Sequence, residues 1–155
     1  MSIKKKIIIA LGLGIVIAGI IAAVLFFQPH RDVQNTTTDF SYNASEIVNE
    51  YLTDSQKANN KYLDEEGNSK VLEIKGIVAK ISEDFNKQKV VLLKSDSDKA
   101  GVSCTFTAET NSHTLNIKIG DKITVKGVIR SGAAFDADLD MYENVILEKC
   151  DVITK

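Results

Sequence analysis

The stretch Val71-Leu72-Glu73-Ile74-Lys75-Gly76-Ile77-Val78-Ala79-Lys80-Ile81 carries the strongest statement about fold in this sequence. It is rich in β-branched residues, as a strand on a half-buried pleated surface should be. Its apolar phase changes at Gly76: Leu72 and Ile74 occupy one parity, Ile77, Ala79 and Ile81 the other. A strand that exchanges its buried face at a glycine is expected to bend sharply there, as strands do at barrel corners. The alternative is an ordinary glycine in an open antiparallel sheet, and the pattern favours the barrel.

Downstream, the chain supplies the other strands such a barrel needs. Val90–Leu93 is a short apolar run, and Val102, Cys104, Phe106 and Ala108 alternate with Ser103, Thr105 and Thr107. Gly120-Asp121 opens a turn into Ile123, Val125 and Ile129, which alternate with Lys122, Thr124 and Lys126, and Val145–Ile153 reads as the last strand. Five strands between about Lys70 and Ile153, the first long and bent, predict a small closed barrel. Before them, Ala44, Ile47, Val48, Tyr51, Leu52, Ser55, Ala58 and Tyr62 recur at spacings of three and four, which predicts one amphipathic helix. Asn43 and Glu46 stand at its N-cap and N3 positions, as in a capping box. Gly67 and Asn68 end the pattern.

The N-terminus is of another kind. Ile7–Phe27 is a run of 21 residues with no charged or strongly polar side chain, long enough as a helix to span roughly 31 Å, about the thickness of a bilayer core. Lys4, Lys5 and Lys6 precede it, so the expected topology keeps residues 1–6 in the cytoplasm and places Gln28 onward outside. The run ends Ala22-Ala23-Val24-Leu25-Phe26-Phe27-Gln28-Pro29 without an A-x-A-like cleavage site, which favours a signal anchor over a cleaved signal peptide. No cysteine precedes Cys104, so a lipid anchor on a cysteine just after the run is not expected. The expected organisation is therefore a cytoplasmic tail over 1–6, a transmembrane helix over 7–27, a tether over 28–43 and a helix-plus-barrel domain over 44–155. Localisation follows as a single-pass cell-membrane protein with its C-terminal domain extracytoplasmic.

Charge narrows the partners. Three of the 19 basic residues are the cytoplasmic lysines and all 21 acidic residues follow the apolar run, so the external part carries 16 basic against 21 acidic, a net of −5. A surface that holds phosphate backbones should be basic, so the composition argues against nucleic acid as partner.

The layout from Ala44 to Ile153 resembles the tRNA-anti-like family of OB-fold domains, a group found in bacterial envelope proteins. The resemblance rests on the helix ending near Lys61-Tyr62-Leu63, on Leu72–Val78, on Val102–Phe106, on Ile119-Gly120-Asp121-Lys122-Ile123-Thr124-Val125-Lys126-Gly127 and on Val145–Cys150. It implies a mainly β, five-stranded OB barrel preceded by the amphipathic helix, and no catalytic residue. In an OB barrel the third and fifth strands are neighbours, and Cys104 and Cys150 would lie one on each. Outside the cytoplasm such a pair favours a disulfide, closing a loop worth ~3–4 kcal/mol, over two small buried thiols.

No nucleophile elbow, phosphate-cradling glycine loop or zinc-protease helix appears, so a non-enzyme without cofactor or metal is expected. His30 and His113 have no partner at a motif spacing and are expected to be solvated. Asp136, Asp138, Asp140 and Glu143 imitate the start of a calcium loop, but Met141 stands where an EF-hand needs glycine and Leu147 where it needs an acid. A solvated loop between the fourth and fifth strands accounts for them better. The expected function is a membrane-anchored binding module of the cell envelope contacting a protein, peptide or glycan. The alternative is single-stranded nucleic-acid binding outside the cytoplasm, through a local basic patch of Lys75, Lys80, Lys122, Lys126 and Arg130.

Overall fold

A computed structural model describes residues 3–26 and 31–153, with side chains in the first segment described only for residues 3, 5 and 14–23. Two compact units result, residues 1–31 and 32–155. In the first, one helix (α1) runs Ile3–Phe26. Among the described residues no helix is long and apolar enough to cross a membrane. The side chains of residues 7–13 and 24–27 of the expected span lie outside the described residues, as do Pro29 and His30 of the expected tether.

The second unit is mainly β. Its elements are β1 (Phe40–Asn43), α2 (Ala44–Thr53), α3 (Ser55–Tyr62), β2 (Val71–Glu83), β3 (Lys89–Leu93), β4 (Val102–Phe106), a 3-10 turn (Asn111–Thr114), β5 (Lys122–Ser131), β6 (Ala134–Asp136), β7 (Met141–Glu143) and β8 (Val145–Val152). The expected five strands are β2, β3, β4, β5 and β8, paired in the order β2-β3-β4-β8-β5 and closed by β5 on β2. All the pairs are antiparallel except β4 with β8. The sheet has become a closed five-stranded barrel.

β2 makes closure possible by serving two partners. Val71–Ile77 pair with β5, while Val78–Glu83 pair with β3. The change of buried face, however, is not at Gly76. Leu72, Ile74 and Val78 are all buried on one parity and Ile77 is exposed. The register slips between Val78 and Lys80, and only beyond that bulge does Ile81 turn toward the core. Gly76 answers to crowding instead, since a Cβ there would stand 2.9 Å from Leu93 Cβ and 3.1 Å from Ala44 Cβ. The glycine lets α2 and β3 approach the bending strand.

The expected single helix is two helices. The chain breaks at Asp54 (φ −153°, ψ 88°), whose carboxylate accepts a hydrogen bond from Lys57 N at 3.0 Å and so caps α3. Thr53-Asp54-Ser55 is the run of short polar side chains that competes with helix hydrogen bonds and favours caps. Most of the expected apolar stripe is buried: Ala44, Ile47, Val48 and Tyr51 of α2, with Ala58 and Tyr62 of α3, join the core with Leu72, Ile74, Val102, Phe106 and Leu147, while Leu52 is half-buried and Ser55 exposed. Glu46 accepts from the Asn43 backbone N–H at 2.7 Å, as a capping box requires.

Within the expected tether of residues 28–43, much of the part from Asp32 onward is packed on the barrel. Val33 is buried with Val71 and Val128, and Lys126 Nζ donates to Gln34 O at 2.9 Å. β1 adds to β2 as a parallel strand, Phe40 opposite Leu72. A polar–aromatic cluster ties it to both helices. Lys61 Nζ lies 5.2, 5.3 and 4.7 Å from the ring centroids of Phe40, Tyr42 and Tyr62 and donates to Tyr42 Oη (3.0 Å) and Glu50 Oε1 (2.9 Å). Tyr62 Oη donates to Glu50 Oε2 at 2.6 Å. Burial works to raise the Glu50 carboxyl, but the hydrogen bonds from Tyr62 and Lys61 outweigh it and leave it below its ordinary value.

A carboxyl held low in the folded state contributes stability that is present above its unfolded pKa and lost as pH falls. Glu50→Gln is therefore expected to lower the thermal midpoint by a few degrees at pH 7, under about 1 kcal/mol given the partial exposure. The gap should narrow as pH drops below the ordinary glutamate value of 4.5, as read from thermal melts across pH. Gly132→Ala should cost more, ~1–3 kcal/mol, because its Cβ would enter the Tyr51 ring; chemical denaturation measures it.

Candidate binding face and its surroundings

On β3 and β4 the strand alternation turns Val91, Leu93, Val102, Cys104 and Phe106 into the core. Val90, Leu92, Ser103 and Thr105 are left on the outer face, half-buried, with Val90 opposite Thr105 and Leu92 opposite Ser103. On β8, Ile146 continues that row opposite Ser103. The outward side chains of this row are aliphatic or hydroxylic, and none is charged. The face ends at the β2–β3 turn, where Phe85 is fully exposed. That turn is braced. Asp84 Oδ1 accepts from Asn86 N and Gln88 N, both at 2.8 Å, while Asn111 accepts from Lys89 N (2.8 Å) and donates to Lys87 O (2.9 Å). A large apolar ring is thus presented to solvent on a fixed support.

The five basic residues expected as a patch do not gather on this face. Lys75 and Lys122 are exposed on the β2–β5 side, where Lys75 stands opposite Thr124 and Lys122 opposite Ile77. Lys80 lies beyond the β2 bulge, opposite Leu92. Lys126 stands across from Glu73 and spends its ammonium on Gln34 O, and Arg130 Nε pairs with Glu148 Oε2 at 2.7 Å. Exposed pairs such as the last contribute little stability, but they dilute the positive field.

The expected disulfide is not formed: Cys104 and Cys150 are both free and buried. A bulge in β8, with Lys149 at φ 52°, shifts the register between Cys104 and Phe106 and turns Cys150 into the core. There its Sγ fills the space a side chain on Gly127 would need. Burial, and then a hydrogen bond with Cys104, push the Cys150 thiol well up. Buried thiols of this kind act as small apolar filler. Both cysteines are thus expected to resist a thiol reagent in the native protein and both to react in denaturant; rapid native labelling of either would contradict the packing.

The acidic run forms a hairpin. β6 and β7 pair, and Asp136 Oδ1 accepts from Asp138 N (2.9 Å) and Leu139 N (3.1 Å) within the turn. Among the described residues no group of three or more His, Cys, Asp or Glu is arranged to hold a metal ion. His113, expected to be solvated, is exposed but has a partner: its Nδ1 lies 2.7 Å from Asp151 Oδ1. Asp151 is 38 residues away in sequence, beyond the reach of any motif spacing. Phe85 was equally illegible, since a lone aromatic in a polar turn looks like any surface residue.

The tRNA_anti-like family model matches residues 1–138. The chain belongs to the tRNA_anti-like family. The match ends before β8, the strand that completes this family member's barrel. Among solved structures, the chain is similar to one described as a "putative nucleic acid-binding lipoprotein" from Klebsiella pneumoniae, with a TM-score of 0.56 and 14% identity over 81% of this chain and 99% of that one. At that identity the likeness speaks for the fold. Comparison with curated proteins finds no match.

Proposed function

We propose that this tRNA_anti-like protein is a non-enzymatic binding module of the cell envelope, held by its N-terminal apolar helix on the extracytoplasmic side, that engages a protein or peptide segment on the outer face of β3 and β4. The observation that carries this reading is the uncharged row Val90, Leu92, Ser103, Thr105 and Ile146, ending at the braced Phe85. In OB barrels the face of the second and third strands and the adjoining loops are where ligands bind. Aliphatic and hydroxyl groups there suit a chain segment with few charges. The anchor rests on the 21-residue apolar run and its lysine flank.

The name of the Klebsiella lipoprotein favours a second reading, single-stranded nucleic acid. Oligonucleotide grooves combine basic tracks with several stacking aromatics. This face offers Phe85 and a flanking Lys80, within a chain that is net acidic outside the apolar run.

A photo-crosslinking residue at Thr105 or Phe85 should give one discrete protein adduct in intact cells, and one at the distant Asn60 should not. Titration of a labelled single-stranded oligonucleotide at moderate salt should show no binding at ~10 μM protein. Tight, salt-dependent binding, weakened in Phe85→Ala, would replace the first reading by the second.

A further inference from the structure

The outer face of β2 and β5 is covered over half its length and bare over the other half. Val71 stands opposite Val128, Glu73 opposite Lys126, Lys75 opposite Thr124 and Ile77 opposite Lys122, and directly opposite residues share a face. The segment from Asp32 lies over the first two pairs. Val33 is buried with Val71 and Val128, Lys126 Nζ donates to Gln34 O, and the Thr38 hydroxyl donates to Glu73 Oε1 at 2.8 Å. Beyond them Lys75, Ile77 and Lys122 are exposed. The turn into β5 enlarges the bare area. Gly120 N donates to Val78 O at 2.8 Å and Val78 N to Asp121 O at 2.9 Å, which fixes Lys118 and Ile119 beside it. Ile119 is 70% exposed, and Leu115, earlier in the same segment, 75%.

A single exposed aliphatic residue means little. Here Ile77 and Ile119 stand among Lys75, Lys118 and Lys122, none of which forms an ion pair among the described residues. The nearby carboxylates are engaged by neutral donors, Asp121 by the Lys118 backbone N–H at 2.8 Å and Glu73 by Thr38. The face is therefore apolar and cationic in a unit that is acidic in sum.

The chain also limits what can lie against it. From the end of the apolar run at Phe27 to Asp32 it advances five residues, a reach of at most ~18 Å. Asp32 lies close enough to Lys126 to feel its charge, and Lys122 is four residues further along the same strand, ~13 Å away. A bilayer holding the apolar run is thus always within reach of the bare face. Its phosphates suit the ammonium groups, its acyl boundary suits the isoleucines, and lysine stems can lie along that boundary with their charges in the headgroups.

We propose that the bare half of the β2–β5 face is a membrane-docking surface, seating Ile77 and Ile119 at the acyl boundary of an anionic bilayer with Lys75, Lys118 and Lys122 on its phosphates. The inference rests on the anchor proposed above. It leaves the outer face of β3 and β4, on other strands, open to its own partner.

The full chain, labelled with an environment-sensitive fluorophore at Asn116→Cys, can be reconstituted into vesicles of phosphatidylcholine and phosphatidylglycerol that carry a nitroxide on the acyl chain. The nitroxide should remove roughly half or more of the fluorescence, as it would for a group at the acyl boundary. A label at Asn60→Cys should be unaffected. Ile119→Asp, and the pair Lys118→Glu with Lys122→Glu, should each abolish the quenching at an unchanged melting temperature. Omitting phosphatidylglycerol should weaken it. Flotation of the chain with the vesicles after alkaline carbonate reads the anchor separately. A chain that floats but is unquenched at 116, is quenched equally at 60, or ignores the charge reversal overturns the docking surface and spares the anchor. A label at 116 that is shielded from aqueous iodide yet untouched by the lipid nitroxide also overturns it, in favour of an acidic protein partner. A chain stripped off by carbonate overturns both.

Discussion

The unit from Asp32 onward depends on one strand being paired twice. β2 gives its first half to β5 and its second to β3, and without that division the five-stranded barrel would open into a sheet with β2 and β5 unpaired to each other. Two local features allow it. The bulge between Val78 and Lys80 re-aims the strand, and the missing side chain at Gly76 lets Leu93 and Ala44 close in on the bend. The parallel pairing of β4 with β8 completes the circuit, and α2 lays Ile47, Val48 and Tyr51 into the shared core.

The barrel then sorts the functional groups. Strand alternation puts Cys104 inside and Thr105 outside, so the same short segment supplies core filler and the uncharged outer row. The β8 bulge performs the corresponding service for Cys150, aiming a thiol inward that simple alternation would send out. Outside the barrel wall, the segment from Asp32 covers the β2–β5 face as far as Glu73 and Lys126 and leaves Lys75, Ile77 and Lys122 bare.

The five barrel strands, the buried stripe of the helical region and the capping at Asn43 were legible because periodicity and cap chemistry are local. What was missed depends on partners distant in sequence. The phase change in β2 was read at Gly76 because glycine is the visible breaker, yet it belongs to a bulge that only pairing with β3 defines. β1 is four residues long and pairs only in parallel with β2, so Phe40-Ser41-Tyr42-Asn43 carried no turn signal to announce it. The expected cysteine bridge was read from two cysteines on neighbouring strands; their side chains do meet in the core, where the Cys150 thiol hydrogen-bonds with Cys104, but they remain free thiols. Ile77 reads in sequence as one more buried position of the bent strand; its place beside Lys122 on the outer face exists only once β2 and β5 are paired.

Amide hydrogen exchange, resolved along β2, tests the closure most directly. If one barrel holds both halves of the strand, residues 71–77 and 78–81 should exchange with the same free energy and lose protection together as denaturant rises. Early exchange of 78–81 and β3, with 71–77 and β5 still protected, would show two separable sheets and contradict a barrel closed through β2.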